Sequence, residues 1–379
     1  MTEYLKKKRV ATHTFLNSDN YGSVLQAYAL LATLNKIGYD AFVIDYFKDE
    51  VKELYQIMKP NTSKYNFLTN CYSRLHYSQL LMKQKRYADF REKYIPKTSI
   101  QYTEHCQLLA NPPEADCYIC GSDQVWNTQI ADFDSSYLLD FVQSGNKISY
   151  AASGITKNTS DSGIEMIASA LEHFDAVSVR EEIGKKRINK RMGDTAIRVL
   201  DPVLLLTSEE WGGVLAQHSF DDLPQKGAYM FCYFAGGISK DFEKYTARLA
   251  KKMGLKRILI MPEWRNIFRS GEKYYQAGPL EFMALLNSAE IVCTNSFHGT
   301  ALSILLNKPF VVGLHAPFSE DRITTLLNSC GLAEREIDPA IDEPDAMAEQ
   351  IDFSKSNSVI QAERERSINW LKMAIGGGK

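Results

Sequence analysis

Two α/β units, each built on a mainly parallel sheet, are the fold this sequence predicts. Three observations carry that expectation. A strand, a helix and a second strand follow one another within about 38 residues near the start, which is the pattern of a βαβ unit. A second alternation of strands and helices begins near residue 228. Between the two, Asp201-Pro202 breaks the pattern, because a proline pushes the preceding residue towards extended backbone. At 379 residues, against roughly 100–200 for a typical domain, each series is long enough to bury a core of its own.

The elements follow in order. Residues 8–15, KRVATHTF, read as the first strand, and NSDNYG at 17–22 as a polar turn. From Ser23 to Ile37, apolar residues at Val24, Leu25, Tyr28, Leu31 and Leu34 fall at helical spacing, and Gly38 ends the helix. AFVIDY at 41–46 is the second strand. Residues 48–115 are less regular, with a helical stretch at 79–94, and are expected to form an insertion covering one side of the first domain. Strands return at 116–120, 147–152, 175–180 and 196–200, with helices at 162–173 and 181–191. The first domain is thus placed at 1–201 and a hinge near 202–225. The second domain, 202–355, is expected to hold strands at 228–234, 257–261, 290–294 and 309–314. Its helices are expected at 239–253, 279–287, 299–306 and 319–330. A last amphipathic helix, within 356–379, is expected to pack back across the hinge.

Composition narrows the function. Hydrophobic residues are 45%, charged residues 24% and the formal net charge is −2, so nothing draws the chain to nucleic acid in bulk. No run nears about 18 apolar residues, so no transmembrane helix is expected. The basic N-terminal stretch is followed by no long apolar core and does not read as a secretory signal. Seven scattered cysteines suit free thiols in a cytoplasm, and Cys117 and Cys120 read as buried strand thiols rather than metal ligands.

Four segments could carry chemistry. At 290–306, EIVCTNSFHGTALSILL, a strand runs into a polar turn and then a helix that opens at His298 and Gly299. Ligands in open parallel sheets bind beyond the carboxyl ends of the strands, and a helix N-terminus favours an anion. Asn295, Ser296 and Thr300 add short polar groups, and a histidine there can move a proton near neutral pH. The alternative is a capped helix with a half-buried histidine. At 176–182, AVSVREE, Arg180 ends a strand and could hold a carboxylate or phosphate with two parallel bonds, or simply pair with a nearby acid. At 17–26, Asn20 and Gly22 stand at a strand-to-helix turn that suits either a ligand or a cap. At 120–127, CGSDQVWN, Ser122 and Asp123 suit sugar hydroxyls and Trp126 a sugar face; the alternative is an Asx-type turn with Trp126 in the core. Ser153, after ISYAAS, is a weaker candidate. No G-x-S-x-G, H-E-x-x-H, P-loop or dinucleotide fingerprint occurs.

Taken in order, these segments resemble the polysaccharide pyruvyl transferase family. The stretches that carry the likeness are TFLNSDNYGSVLQAYAL at 14–30, YICGSDQVWN at 118–127, KISYAAS at 147–153, VSVREE at 177–182, VLDPVLLLTSEEW at 199–211, TNSFHGTALSILLNKPFVV at 294–312 and DRITTLL at 321–327. The resemblance implies a GT-B-like pair of Rossmann-like domains with the active site in the interdomain cleft. It implies transfer of a pyruvyl group from phosphoenolpyruvate to sugar hydroxyls as a ketal, with His298 as catalytic acid and Arg180 as donor ligand. Asp123 is the expected acceptor of the hydroxyl proton. Better-characterised members carry an arginine two residues before the histidine, where this chain has Ser296; Arg265, Arg269, Lys308 and Arg322 are the candidates to replace it. The expected partners are phosphoenolpyruvate and a sugar or glycan, a lipid-linked one included, with no metal and no cofactor. The expected location is cytoplasmic, the inner membrane face included. Two rivals stand beside this: a glycosyltransferase using a nucleotide sugar, and a non-catalytic glycan-binding protein.

Overall fold

The computed structural model describes residues 7–377, except 61, 225, 228, 261–268, 314–319 and 343–349. They form two compact units. The first holds the residues up to Tyr55, Arg91–Leu206 and the chain from Ala362 onward; the second holds Gln56–Phe90 and Thr207–Gln361.

The chain opens with β1 (Arg9–His13), α1 (Tyr21–Lys36), β2 (Asp40–Val43) and α2 (Asp49–Tyr55). Helices α3 (Lys64–Leu75) and α4 (Tyr77–Tyr94) follow, then α5 (His105–Ala110), β3 (Cys117–Cys120), β4 (Asn146–Ala152), α6 (Asp161–Leu171), β5 (Ala176–Val179), α7 (Glu182–Met192) and β6 (Ala196–Arg198). All pairings in the first sheet are parallel, in the order β2-β1-β3-β4-β5-β6. Every residue of β3 is buried, as expected of an inner strand of a parallel sheet covered on both faces. That is why CYIC is apolar throughout instead of alternating. Its two thiols are free and buried, and burial pushes Cys117 up to about 12.

The second unit continues with α8 (Ser208–Leu215), β7 (Tyr229–Tyr233), α9 (Lys240–Met253), β8 (Lys256–Ile260), β9 (Glu272–Lys273), α10 (Pro279–Ser288), β10 (Ile291–Thr294), α11 (Phe297–Leu305), β11 (Phe310–Gly313), α12 (Glu320–Cys330) and β12 (Glu336–Ile337). This sheet is also parallel, ordered β12-β11-β10-β7-β8-β9. The strand order reverses between β1 and β3 in the first sheet and between β7 and β10 in the second. Those two crevices are where doubly wound sheets place their ligands. The second sheet has the strand order of the dinucleotide-binding fold, and the first has the flavodoxin-like order with one strand added.

One expectation on organisation differs from the structure. The insertion over 48–115 is divided, because residues 56–90 pack with the second unit and not the first. Tyr72, Leu80 and Tyr275 form a small buried cluster there, joined by Ile57. Helical periodicity shows that a face is buried but not which of two cores buries it. The last helix, α13 (Ser354–Gly376), is shared between the units, which divide at Ala362. Its later part joins the first unit: Ser367 Oγ accepts the Leu200 N–H at 3.0 Å, and Arg364 Nε donates to the Leu204 carbonyl at 2.7 Å. Among the described residues, no helix is long and apolar enough to cross a membrane.

Candidate functional site

At the first crevice, the turn after β1 and the loop after β3 are locked together. Thr14 Oγ1 donates to the Ser122 carbonyl at 2.7 Å, and Gln26 Nε2 donates back to Thr14 Oγ1 at 3.0 Å. Asn20 is the N-cap of α1, accepting from the N–H groups of Gly22 (2.9 Å) and Ser23 (3.3 Å). Asn20 and Gly22 therefore serve the cap that the sequence allowed as an alternative. Ser23, one turn into the helix, donates to Asp123 Oδ2. Asp123 sits at φ 75°, a left-handed conformation uncommon outside glycine and tolerated by aspartate. Its backbone bonds to Ser153, which joins the β3 loop to the end of β4. Gly154 makes that junction possible: at φ 114°, an added Cβ would lie 2.4 Å from the Asn127 nitrogen.

Arg180 lies at the centre of a buried ion cluster. Its Nη1 is 2.5 Å from Asp201 Oδ2, its Nε 3.0 Å from Glu181 Oε1 and its Nη2 2.8 Å from Ser153 Oγ. Ser153 Oγ also donates to Glu181, and Ser122 Oγ donates to Asp201 Oδ2 at 3.3 Å. All five residues are at most 5% exposed. Burial alone would lower the guanidinium pKa, but Glu181, Asp201 and Asp123 outweigh it and hold it above the ordinary value. This is the pairing with nearby acids that the sequence allowed as the alternative to a ligand grip. The fork of Arg180 binds two of its own chain's carboxylates, so it ties together the ends of β3, β4 and β5 and the segment after β6. Glu181 was among the nearby acids the sequence offered as partners of Arg180; the part played by Asp201 is what sequence reading passed over.

Trp126 does correct an expectation. It is fully buried in the first unit's core, its indole N–H pointing to the Tyr137 carbonyl at 3.4 Å. It has no face to offer a sugar, and the demand of a large ring for a core place outweighs its position beside a polar turn.

The second crevice is built from backbone and short polar side chains. Thr294 Oγ1 donates to the Tyr233 carbonyl at 2.6 Å. Asn295 clamps the turn after β7, accepting from the Ala235 N–H and donating to the Gly237 carbonyl, both at 2.7 Å. Ser296 is the N-cap of α11, its hydroxyl accepting from the Gly299 N–H at 3.4 Å. Thr300 Oγ1 returns to the Ser296 carbonyl at 2.9 Å. A Cβ on Gly299 would meet Thr294 Oγ1 at 2.5 Å, so glycine here is a packing requirement of helix against strand. His298 occupies the first turn of α11, 8% exposed, with its ring edge-on to Phe297 at 5.4 Å. The structure thus gathers Asn295, Ser296, His298, Gly299 and Thr300 at one strand end of the second unit. It gathers Asn20, Ser122, Asp123, Ser153 and Arg180 at one edge of the first.

A model of the polysaccharide pyruvyl transferase family matches residues 20–312, which includes every one of these side chains. The chain belongs to that family. No curated protein matches the transferase. Among solved structures, the S. aureus MnaA–UDP co-structure superposes with a TM-score of 0.52 at 12% identity, covering 97% of each chain. The UDP-N-acetylglucosamine 2-epimerase of Rickettsia bellii gives 0.51 at 9% identity, covering 98% of the transferase and 100% of the epimerase. The N-terminal domain of Candida albicans trehalose-6-phosphate phosphatase gives 0.51 at 8%, covering 100% and 99%. These likenesses show the fold, a GT-B-like two-unit α/β architecture.

Of the cations considered in place of the missing arginine, Lys308 is at the wrong edge. It precedes β11, and its Nζ donates to the Ala289 carbonyl, at the start of β10, at 3.3 Å. Arg265 lies outside the described residues. Among the described residues, no group of three or more His, Cys, Asp or Glu side chains could hold a metal ion.

The first unit also holds a small pocket that the sequence did not reveal. Its walls include the rings of Phe15 and Tyr46, after β1 and β2, of Tyr55 at the end of α2, and of Tyr137, after β3. Tyr55 donates to Asp132 Oδ2 at 2.8 Å. Burial, then Asp132, keeps its phenol protonated well above the usual range, with Asp123 adding to the effect. Ser18 Oγ and Asp132 Oδ1 are buried without a hydrogen-bond partner among the described residues. A carboxylate and a hydroxyl with unused bonding capacity between aromatic walls suit a neutral polyol. Four residues from four separate segments leave no local motif, which is why sequence spacing is silent on them.

Proposed function

We propose that the transferase moves a pyruvyl group from phosphoenolpyruvate to two hydroxyls of a saccharide in a cell-surface polysaccharide precursor, closing a cyclic ketal. The family match over 20–312 carries this reading. The charge of the two crevices supports a division of labour. The first unit's edge holds Asp123, Glu181 and Asp201 around one arginine, which disfavours a donor bearing a carboxylate and a phosphate. It suits an acceptor hydroxyl that must lose a proton. The pocket lined by Tyr55 and Asp132 then receives the sugar ring, and Asp123 takes the hydroxyl proton.

The donor belongs with the second unit, where the N-terminus of α11 favours an anion. His298 gives a proton to the methylene carbon of the enol ether. The neighbouring carbon gains cationic character and is attacked by the first sugar hydroxyl. The C–O bond to phosphate then breaks, phosphate leaves, and the second hydroxyl closes the ring. Protons lost by the two hydroxyls balance the one gained by carbon and the one carried off by phosphate or solvent. A general acid of this kind contributes about 10²–10⁴-fold. The reaction as written uses no cofactor beyond the donor, and takes place in the cytoplasm on a nucleotide-linked or lipid-linked sugar.

Product analysis tests it. The full-length protein is incubated with phosphoenolpyruvate and a panel of nucleotide-linked and lipid-linked sugars. Phosphate release matched by an acid-labile ketal on the sugar is the expected result. Release of a nucleoside diphosphate from a nucleotide sugar, or sugar binding without turnover of any donor, would overturn it.

A further inference from the structure

One surface of the second unit is unlike the rest of the chain. Residues 56–88 carry six cations, Lys59, Lys64, Arg74, Lys83, Lys85 and Arg86, in a protein whose net charge is −2; Lys85 pairs with Asp89 at 2.6 Å and Arg86 with Asp222 and Glu281 at 3.1 and 3.2 Å, so the proposal rests on Lys64 and Arg74. The same stretch holds six of the eleven large hydrophobic side chains that are exposed among the described residues: Tyr65, Phe67, Leu75, Tyr77, Leu81 and Met82. Leu75 is 77% exposed and Phe67 57%. Charge and apolar area are thus concentrated together on α3 and α4.

Helical spacing puts them on common faces. On α3, Lys64, Phe67, Cys71 and Leu75 recur at three and four residues, and all four are exposed. On α4, Tyr77, Leu81 and Lys85 recur at four, also exposed. The opposite faces are spent inside the unit. Asn70, Tyr72 and Ser73 of α3 and Leu80 and Tyr87 of α4 are buried, and Tyr72 and Leu80 pack with Tyr275. Asn70 pairs twice with the backbone of Lys59, at 2.7 and 2.8 Å, which fixes the segment leading into α3.

An exposed apolar stripe flanked by lysine and arginine, with aromatic residues among it, is the composition of a helix lying in a membrane interface. Its net positive charge matches an anionic headgroup layer. A soluble protein partner would more often meet mixed charge. We propose that the outer face of α3 and α4 docks the transferase on an anionic lipid bilayer. Phe67, Leu75 and Leu81 enter the interface, and Lys64 and Arg74 meet the headgroups. The inference is independent of which group the enzyme transfers, so its test uses no activity readout.

The test is flotation of the full-length protein with phosphatidylcholine vesicles, alone or containing phosphatidylglycerol. Binding to the anionic vesicles only, weakened by salt, is expected. Phe67→Ser with Leu75→Ser and Leu81→Ser should abolish it, and Lys64→Gln or Arg74→Gln should each weaken it about fivefold. Met166→Ser, which removes an exposed hydrophobic residue of the first unit, should change nothing. Leu75→Ser alone serves where the triple variant melts early. A protein that stays with the unbound fraction, binds neutral vesicles equally, or is unaffected by these substitutions overturns the proposal. So does a triple variant that floats like the parent but changes from dimer to monomer by light scattering, since the face would then join copies of the chain.

Discussion

Replacing Arg180 by methionine separates a ligand-binding role from a structural one. Methionine keeps much of the stem but removes the charge and all three bonds, those to Asp201 (2.5 Å), Glu181 (3.0 Å) and Ser153 (2.8 Å). Two carboxylates, each at most 2% exposed, are then left without their counter-ion. Removing one partner of a buried ion pair typically costs about 3–5 kcal/mol, most of it the penalty for the charge left behind. For a unit of this size each kcal/mol lowers the melting temperature by roughly 2–4 °C, so a fall of about 6–20 °C is expected. Arg180→Lys keeps the charge but not the fork and should fall between parent and methionine variant. Differential scanning calorimetry on the full chain measures both. The measurement is repeated for Asp201→Asn and for the double variant, because coupling between the two sites should make their losses less than additive. A methionine variant that melts within about 2 °C of the parent yet binds phosphoenolpyruvate far more weakly would refute the structural role, and would return Arg180 to the donor site.

Three further outcomes follow from the geometry. His298→Gln should lower kcat by about 10²–10⁴-fold with donor affinity and melting temperature little changed; turnover at the parental rate would remove the histidine from the chemistry. Asp132→Asn or Tyr55→Phe, which weaken the 2.8 Å bond in the pocket, should raise the acceptor KM roughly tenfold and leave the donor KM alone; an unchanged acceptor KM would empty the pocket of its role. His13 is fully buried, stacked on Tyr137 at 4.5 Å, and burial lowers its pKa to about 3 from the ordinary 6.5. The unfolded chain therefore takes the proton first: stability is full above pH 6.5 and is lost as pH falls towards 3. The loss is about 2 kcal/mol between pH 6.5 and 5. Denaturant unfolding of the parent and of His13→Asn checks this, and parallel pH profiles would contradict it.

Much of the architecture was readable because its signals are local. The helix at 239–253 emerges as Lys240–Met253, with Ser239 accepting from the Phe242 N–H and Gly254 closing it in the left-handed region. Both ends are written in single residues. The two-residue strands β9 and β12 were not readable, since alternation needs a longer run to register. The final helix was placed at 356–374 and spans Ser354–Gly376. The same distinction holds at the site. His298 and Asn295 stand in one contiguous turn, so their proximity could be read from their neighbours. The pairing of Arg180 with Glu181 could be read from adjacent residues, whereas its second counter-ion Asp201 lies 21 residues away and could not. Trp126 was misplaced for the opposite reason: its polar neighbours in sequence are not the residues its ring touches.

A serine at position 296, where the family resemblance implies an arginine, fits the contrast between the two crevices. Ser296 caps α11 through its hydroxyl and, with Thr300 and Thr294, completes a turn held by short bonds. An arginine there has no side-chain acceptor for the Gly299 N–H, and losing such a cap costs about 0.5–2 kcal/mol. This chain has the cap, and in the proposed donor site the backbone dipoles at the same point would attract the anion without a formal charge. The first unit's edge cannot supply the missing charge, since its arginine is already outnumbered by Glu181, Asp201 and Asp123. A dipole-based site holds a doubly charged phosphate less tightly than a guanidinium does. The physical expectation is therefore a donor site of modest affinity whose strength falls steeply with added salt.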